Sequence, residues 1–266
     1  MLPLVICAGP RALPTTAVAS HYYAADGILP IVVRPAACTD HDSDFAAGTR
    51  CIDDEALDGV EEVSAYLRAH RDRLASFNRA PGWFLQQFIK LSAVATLNTD
   101  YVFIVDGDTI FSHRLLRDVL TQPLILTTGE RYENYDRLLI ALGLTPPELS
   151  CVANGNVFPS DSLLRRLATP EGFVSILEDH IFPSNGMLDF SEYQITGSLL
   201  QSRLAMRRIK MFRRFDLLIH GLDDIPAGFV ERALRRYDAV AIEANHLRSP
   251  ARRIAARIFY GIGRSW

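Results

Sequence analysis

Tyr101-Val-Phe-Ile-Val105 is an unbroken apolar run of strand length, and it ends abruptly in Asp106-Gly107-Asp108. A strand that is apolar at every position must be covered on both faces, whereas one face open to water gives alternation. The run therefore demands a sheet with helices on each side, and the rest of the chain supplies them. Short β-rich runs alternate with longer helix-period stretches, the pattern of an α/β fold with a mostly parallel central sheet. Strands are expected over 2–7, 29–34, 101–105, 124–128, 151–158, 215–219 and 239–242, and helices over 60–75, 83–97, 114–120, 134–142, 160–167, 191–206 and 228–236. With 266 residues, 48% of them hydrophobic, and no Pro/Gly/Ser-rich linker, the chain is expected to form a single domain over 1–266 with a full core.

The aspartate pair carries the chemistry. In open α/β sheets ligands bind outside the carboxyl ends of the strands, and two carboxylates placed there repel one another unless a cation or hydrogen-bond donors lie between them. In an extended segment alternate side chains point the same way, and the intervening Gly107 would let a bulky diphosphate approach the backbone. Hard oxygen ligands suit Mg²⁺ or Mn²⁺, which would neutralise the phosphates of a nucleotide. The plain alternative is a turn after a strand, since all three residues favour turns.

The helix over 83–97 buries a stripe of Phe84, Phe88, Leu91 and Val94 or Ala95 at spacings of three and four, with Pro81-Gly82 before it and Asn98 after it. Gln86, Gln87 and Lys90 lie off the stripe. Lys90 is one of only two lysines, and it reads either as a phosphate contact or as part of a solvated helix face. Gln86 and Gln87 suit sugar hydroxyls or an ordinary exposed face. Trp83 reads as a partly buried packing residue.

Three ordered motifs, Gly82-Trp83-Phe84-Leu85-Gln86-Gln87-Phe88-Ile89-Lys90-Leu91, Val105-Asp106-Gly107-Asp108-Thr109 and Phe190-Ser191-Glu192-Tyr193, together carry a resemblance. Over about residues 29–245 the chain resembles a bacterial family of glycosyltransferases catalogued mostly as a domain of unknown function, itself similar to nucleotide-sugar transferases of the GT-A type. Ile52-Asp53-Asp54-Glu55 is similar to an acidic segment that precedes the Trp-Gln-Gln helix in that family. The resemblance implies a GT-A-like fold, with Asp106 and Asp108 binding the metal and the diphosphate of a nucleotide-sugar donor and Glu192 near a glycan or lipid-linked acceptor. Asn154-Gly155-Asn156-Val157-Phe158 departs from it where a His-containing strand end is expected.

Transfer with inversion needs a carboxylate to take the acceptor proton, and Glu192, after Gly186 and Asp189, is the expected base. The competing reading is local: Ser191 or Asp189 caps a helix, and Glu192 favours its first turn through the helix dipole. Some GT-A enzymes complete the metal shell with a histidine near the C-terminus. His246 is the expected third ligand here, with His220 as its rival.

The net charge of −3 conceals an asymmetry. From Arg203 onward there are 14 basic and 6 acidic residues, a net +8 against −11 for the rest. Arg203, Arg207, Arg208, Lys210, Arg213 and Arg214 suit a donor diphosphate or a phosphorylated acceptor, or else a solvated helix end and loop. Ile254, Ala255, Ile258, Phe259 and Ile262 recur at helical spacing among Arg252, Arg253, Arg257 and Arg264. A basic amphipathic C-terminal helix is therefore expected at about 248–265, docked on its own domain or in peripheral contact with an anionic membrane.

The overall acidic chain has no nucleic-acid reading motif, so no nucleic-acid partner is expected. The four cysteines, Cys7, Cys38, Cys51 and Cys151, have neither zinc-site spacing nor disulfide-scaffold density and read as buried thiols. The apolar start lacks a basic n-region and is broken by Pro10 and Arg11, and no apolar run approaches the roughly 20 residues of a membrane span, so a cytoplasmic chain is expected. The sequence fixes no oligomeric state. Two other functions compete: a haloacid-dehalogenase-type phosphohydrolase, although Ile110 stands where that motif wants Thr or Val, and a non-catalytic nucleotide- or glycan-binding module.

Overall fold

The computed structural model describes residues 1–75, 80–215, 225 and 228–243. Its strands are β1 (Leu4–Cys7), β2 (Ile31–Arg34), β3 (Arg50–Asp53), β4 (Tyr101–Asp106), β5 (Thr109–Phe111), β6 (Ile125–Thr127), β7 (Gly155–Pro159), β8 (Met206–Arg208), β9 (Met211–Phe215) and β10 (Ala239–Glu243). The helices are α1 (Leu13–Ala24), α2 (Val60–Ala69), α3 (Arg71–Ala75), α4 (Pro81–Leu97), α5 (His113–Thr121), α6 (Glu133–Ala141), α7 (Ser162–Leu167), α8 (Pro170–Ile176), α9 (Glu192–Leu200) and α10 (Phe229–Leu234). The central sheet has the order β3-β2-β1-β4-β7. Its first four strands run parallel and β7 runs antiparallel to β4.

The fold class is therefore the mixed α/β architecture with a mostly parallel sheet that the apolar run demands. Both faces of that sheet are covered, and strand alternation sorts the residues between them. Leu4 and Ile6 of β1 and Phe103 and Val105 of β4 face one core with α1 and α5. Val5, Cys7, Val102 and Ile104 face the other, with α2, α4, α7 and α8. The parity matters for the site. Asp106 follows Ile104 by two positions and pairs in register with Cys7, so it belongs to the face that α4 covers.

Two small sheets extend this frame. The order β5-β10-β9 continues from the end of β4, and β6 pairs with β8. Asn156 of β7, fully buried, joins the second of these to the central sheet. Its Oδ1 accepts from Leu126 N at 3.0 Å, and its Nδ2 donates to Leu126 O at 2.9 Å and Cys151 O at 3.0 Å. The departure from the resembled family at this strand is thus a buried amide clasp.

Several elements differ from expectation. The helix over 60–75 breaks at His70 into α2 and α3, and the helix over 191–206 stops at Leu200. The basic run forms β8 and β9 in place of a helix end and loop, with Arg207 paired to Asp118 and Asp238 and Arg213 to Glu130. The strand over 151–158 starts only at Gly155, because Asn154 adopts φ 53°. Phe215 closes β9, while 216–219 lie outside the described residues. Cys7 and Cys151 are buried as expected, whereas Cys38 and Cys51 are half-buried. The amphipathic segment at 248–265, His220 and His246 lie outside the described residues. No described helix is long and apolar enough to cross a membrane.

Candidate functional site

The chain runs β1, β2, β3 toward one side of the sheet and then places β4 on the other side of β1. The carboxyl ends of β1 and β4 thus flank the switch point where an open α/β sheet forms its ligand crevice. Asp106 ends β4 there, beside Cys7 of β1. Gly107 and Asp108 then form a turn before β5, so the two aspartates do not share one extended segment.

Gly107 faces inward. A Cβ at this position would lie 2.7 Å from Ala8 Cα and 2.9 Å from Thr16 Oγ1. Its N–H donates to Cys7 O at 2.9 Å, and its carbonyl accepts from Thr16 Oγ1 at 2.8 Å. Glycine is required here by the close approach of β1 and α1, and its backbone groups are already used. That is a different reason from the diphosphate approach expected from the sequence.

The Asp106 carboxylate meets two helices. Lys90 of α4 pairs with its Oδ1, and Tyr193 of α9 donates its hydroxyl to the same oxygen at 2.9 Å. Lys90 is 2% exposed, so the solvated-face reading fails. Its ammonium also donates to Glu192 Oε1 at 2.7 Å and lies 4.5 Å from the centroid of the Tyr193 ring. Gln87, one turn before Lys90, faces Glu192 in its turn. With its amide oriented as the network requires, Nε2 donates to Oε1 at 2.8 Å and also contacts Oε2. Gln86 is half-buried and stands outside this network.

Glu192 is 1% exposed and opens α9, while Ser191 caps that helix by accepting from Gln194 N at 3.3 Å. Two carboxylates share one ammonium. Burial pulls Lys90 down, but attraction first from Asp106 and then from Glu192 outweighs it and leaves the ammonium above its ordinary range. Burial pushes Glu192 up, with Lys90 opposing. Burial likewise raises the Tyr193 hydroxyl, reinforced by the charges of Asp106 and Glu192, so it stays a donor. Cys7 is pushed up to about 12, chiefly by burial, and is an inert thiol.

Asp108 is held separately. Thr109 Oγ1 donates to its Oδ1 at 3.1 Å and accepts from Asn154 Nδ2 at 3.2 Å, and Ile242 N donates to its carbonyl at 2.7 Å. Sequence reasoning named Lys90, Gln87, Asp106, Asp108 and Glu192, and the fold brings the first three and Glu192 into one network with Asp108 two residues along the chain. It did not single out Tyr193, whose signal was its place beside Glu192 in the Phe190-Ser191-Glu192-Tyr193 motif.

Among the described residues, no three His, Cys, Asp or Glu side chains are grouped to hold a metal. The two aspartates suit another arrangement, in which one or two carboxylates and the phosphates of a ligand share a hard dication.

The model of a family of unknown function, DUF6492, matches residues 23–135. That family has no assigned activity. The matched stretch includes α4 and the Asp106–Asp108 turn. Among solved structures, mouse xyloside xylosyltransferase 1 in its apo form aligns over 92% of this chain and 98% of its own, at 12% identity and a TM-score of 0.41. The galactosyltransferase LgtC, in complex with donor and acceptor sugar analogues, aligns over 99% and 96%, at 12% identity and 0.48. A glycosyltransferase involved in glycosylation of the major capsid of PBCV-1 aligns over 96% and 99%, at 10% identity and 0.34. No curated protein matches the sequence. All three superpositions fall below a TM-score of 0.5, so the site is interpreted from its own residues.

Proposed function

We propose that the chain is a GT-A-like glycosyltransferase that moves a sugar from a nucleotide-sugar donor to a glycan or lipid-linked acceptor. The observation that carries this reading is the aspartate pair at the switch point of the sheet, with Asp106 locked by two buried helices. A surface turn needs no such anchoring. The diphosphate of the donor is placed over the ends of β1 and β4, where Asp106 and Asp108 hold Mn²⁺ or Mg²⁺. A third protein ligand from His246, or from His220, belongs to the same proposal.

In the transfer, the bond between the anomeric carbon and the diphosphate oxygen breaks with its electron pair going to the leaving diphosphate. The acceptor oxygen forms the new bond to the anomeric carbon, and its proton passes to the leaving diphosphate oxygen or, through water, to solvent. The dication, when bound, stabilises the charge that builds on the leaving group. Asp106 and Asp108 orient that charge-bearing end of the donor, and Lys90 holds the Asp106 carboxylate in place. Glu192 is assigned to hold Lys90, because its carboxylate is buried and taken by Lys90 and Gln87. A base that takes the acceptor proton would need to reach the acceptor.

The test is a thermal-shift and calorimetric screen of nucleoside diphosphates and sugar nucleotides with Mn²⁺ and with EDTA. Binding that requires Mn²⁺, and that Asp106→Asn or Asp108→Asn each abolishes while circular dichroism stays native, is the expected result. Unchanged binding in both variants would refute the assignment.

A further inference from the structure

Lys90 occupies a position that bears on how the site takes up a cation. Its ammonium lies in the interior, on Oδ1 of the aspartate assigned to the metal, and it cannot swing away. One N–H direction is used by Asp106 and a second by Glu192 at 2.7 Å, while the Tyr193 ring lies 4.5 Å away. Glu192 is fixed in turn by Gln87, and the Tyr193 hydroxyl closes the circuit on Asp106 at 2.9 Å. Lys90, Asp106, Glu192 and Tyr193 are each held by at least two other members, Gln87 braces Glu192 alone, and α4 and α9 supply four of the five. Moving Lys90 out would strand two carboxylates, Glu192 in the interior and Asp106 at its edge.

A fixed positive charge on a metal-ligating carboxylate weakens its attraction for a second cation. The described residues offer no third His, Cys, Asp or Glu beside the two aspartates to hold the ion. A diphosphate brings negative charge and further oxygen donors to the same ion.

From this geometry we propose that Lys90 is a positioning residue. It acts as a resident counter-cation, so the aspartate pair takes up a divalent cation together with a diphosphate and not ahead of it. The proposal rests on the nucleotide-sugar reading above and adds an order of assembly to it. Glu192, Tyr193 and Gln87 then serve to keep Lys90 in place. By linkage the coupling is mutual: the cation must strengthen diphosphate binding by the same factor.

Calorimetry and Mn²⁺ electron paramagnetic resonance on the full chain provide the test. The probes are Mn²⁺ alone and Mn²⁺ with the nucleoside diphosphate that binds best in the screen above. The unmodified chain should show no saturable Mn²⁺ binding below about 1 mM. Saturating nucleoside diphosphate should then tighten it by at least about tenfold. The paired variant Lys90→Met/Glu192→Gln removes one buried charge of each sign, so that only Asp106, at the edge of the interior, loses its ammonium. It should bind Mn²⁺ alone about fivefold or more tightly and show weaker coupling, because the ammonium touches Asp106 directly while Glu192 reaches it through Lys90. A role confined to folding would leave Mn²⁺ affinity unmoved. Micromolar binding of Mn²⁺ alone to the unmodified chain, with diphosphate adding little, overturns the inference while leaving the transferase reading intact. Failure of every nucleoside diphosphate to bind with Mn²⁺ removes both.

Discussion

At the scale of single residues, the burial of Lys90 decides more than any other fact. An ammonium 2% exposed is tolerated only because two carboxylates meet it. Removing it alone should be severe. Lys90→Met is expected to lower unfolding stability by about 3–5 kcal/mol, the cost of stranding buried charge. Lys90→Met/Glu192→Gln should regain most of that loss. Urea denaturation of the three proteins side by side checks this, and a paired variant as unstable as the single one would contradict it. The sequence made the participants visible through residue type: a rare lysine, a glutamine one turn before it, and acidic residues at element ends. It did not show that they meet. Lys90 lies off the apolar stripe of its helix, and an off-stripe lysine reads equally as solvated until a second helix is known to cover it. Gly107 shows the same limit from the other side. Its type was legible, but the reason for it, the approach of Ala8 and Thr16, depends on a strand and helix about ninety residues earlier.

At the scale of elements, helices with a clean stripe were legible to within a few residues, α4 above all. Those that lacked one were not. α1 buries Thr15, Thr16 and Ser20 along with Leu13, Ala17 and Ala19, so its residues carry no apolar–polar contrast to read. Short strands were lost for a related reason. β3 is Arg-Cys-Ile-Asp, and β5 is three residues in the shadow of the turn before it. β8 and β9 are rich in arginine because their charged heads reach surface carboxylates, which masks the strand pattern. The join between β7 and β6 was also hidden, because a buried asparagine gives no periodic signal. Asn156→Ala would leave Leu126 N, Leu126 O and Cys151 O without their partner. The expected loss is about 2–4 kcal/mol, read as a lower urea midpoint with an unchanged slope. A loss under about 0.5 kcal/mol would show that these groups find other partners.

For the whole molecule, the apolar run Val102–Val105 was enough to fix a sheet covered on both faces, because no other arrangement buries every position of a strand. The same burial sets the response to pH. Cys7 and Cys151 are pushed up to about 12 from an ordinary 9.0 by burial. Burial also raises Tyr23 and Tyr193, and Lys90 is raised by Asp106 and Glu192 despite burial. Each of these groups keeps its proton in the folded chain at a pH where the unfolded chain has lost it. Their contribution to stability is therefore complete below about pH 9 and declines as pH rises through 9 to 11. A urea midpoint that falls steadily between pH 8.5 and 11 is expected, and a flat profile over that range would contradict the assignment.

Lys90 and Glu192 are separated by 102 positions in the chain, yet their side chains touch. The loop between them contains β4, the Asp106–Asp108 turn and β7, so the last contact of the crevice closes around two of the five strands of the central sheet. A nascent or partly assembled polypeptide thus has the aspartates but no means of holding them, and competence for ligand arrives only with the finished architecture.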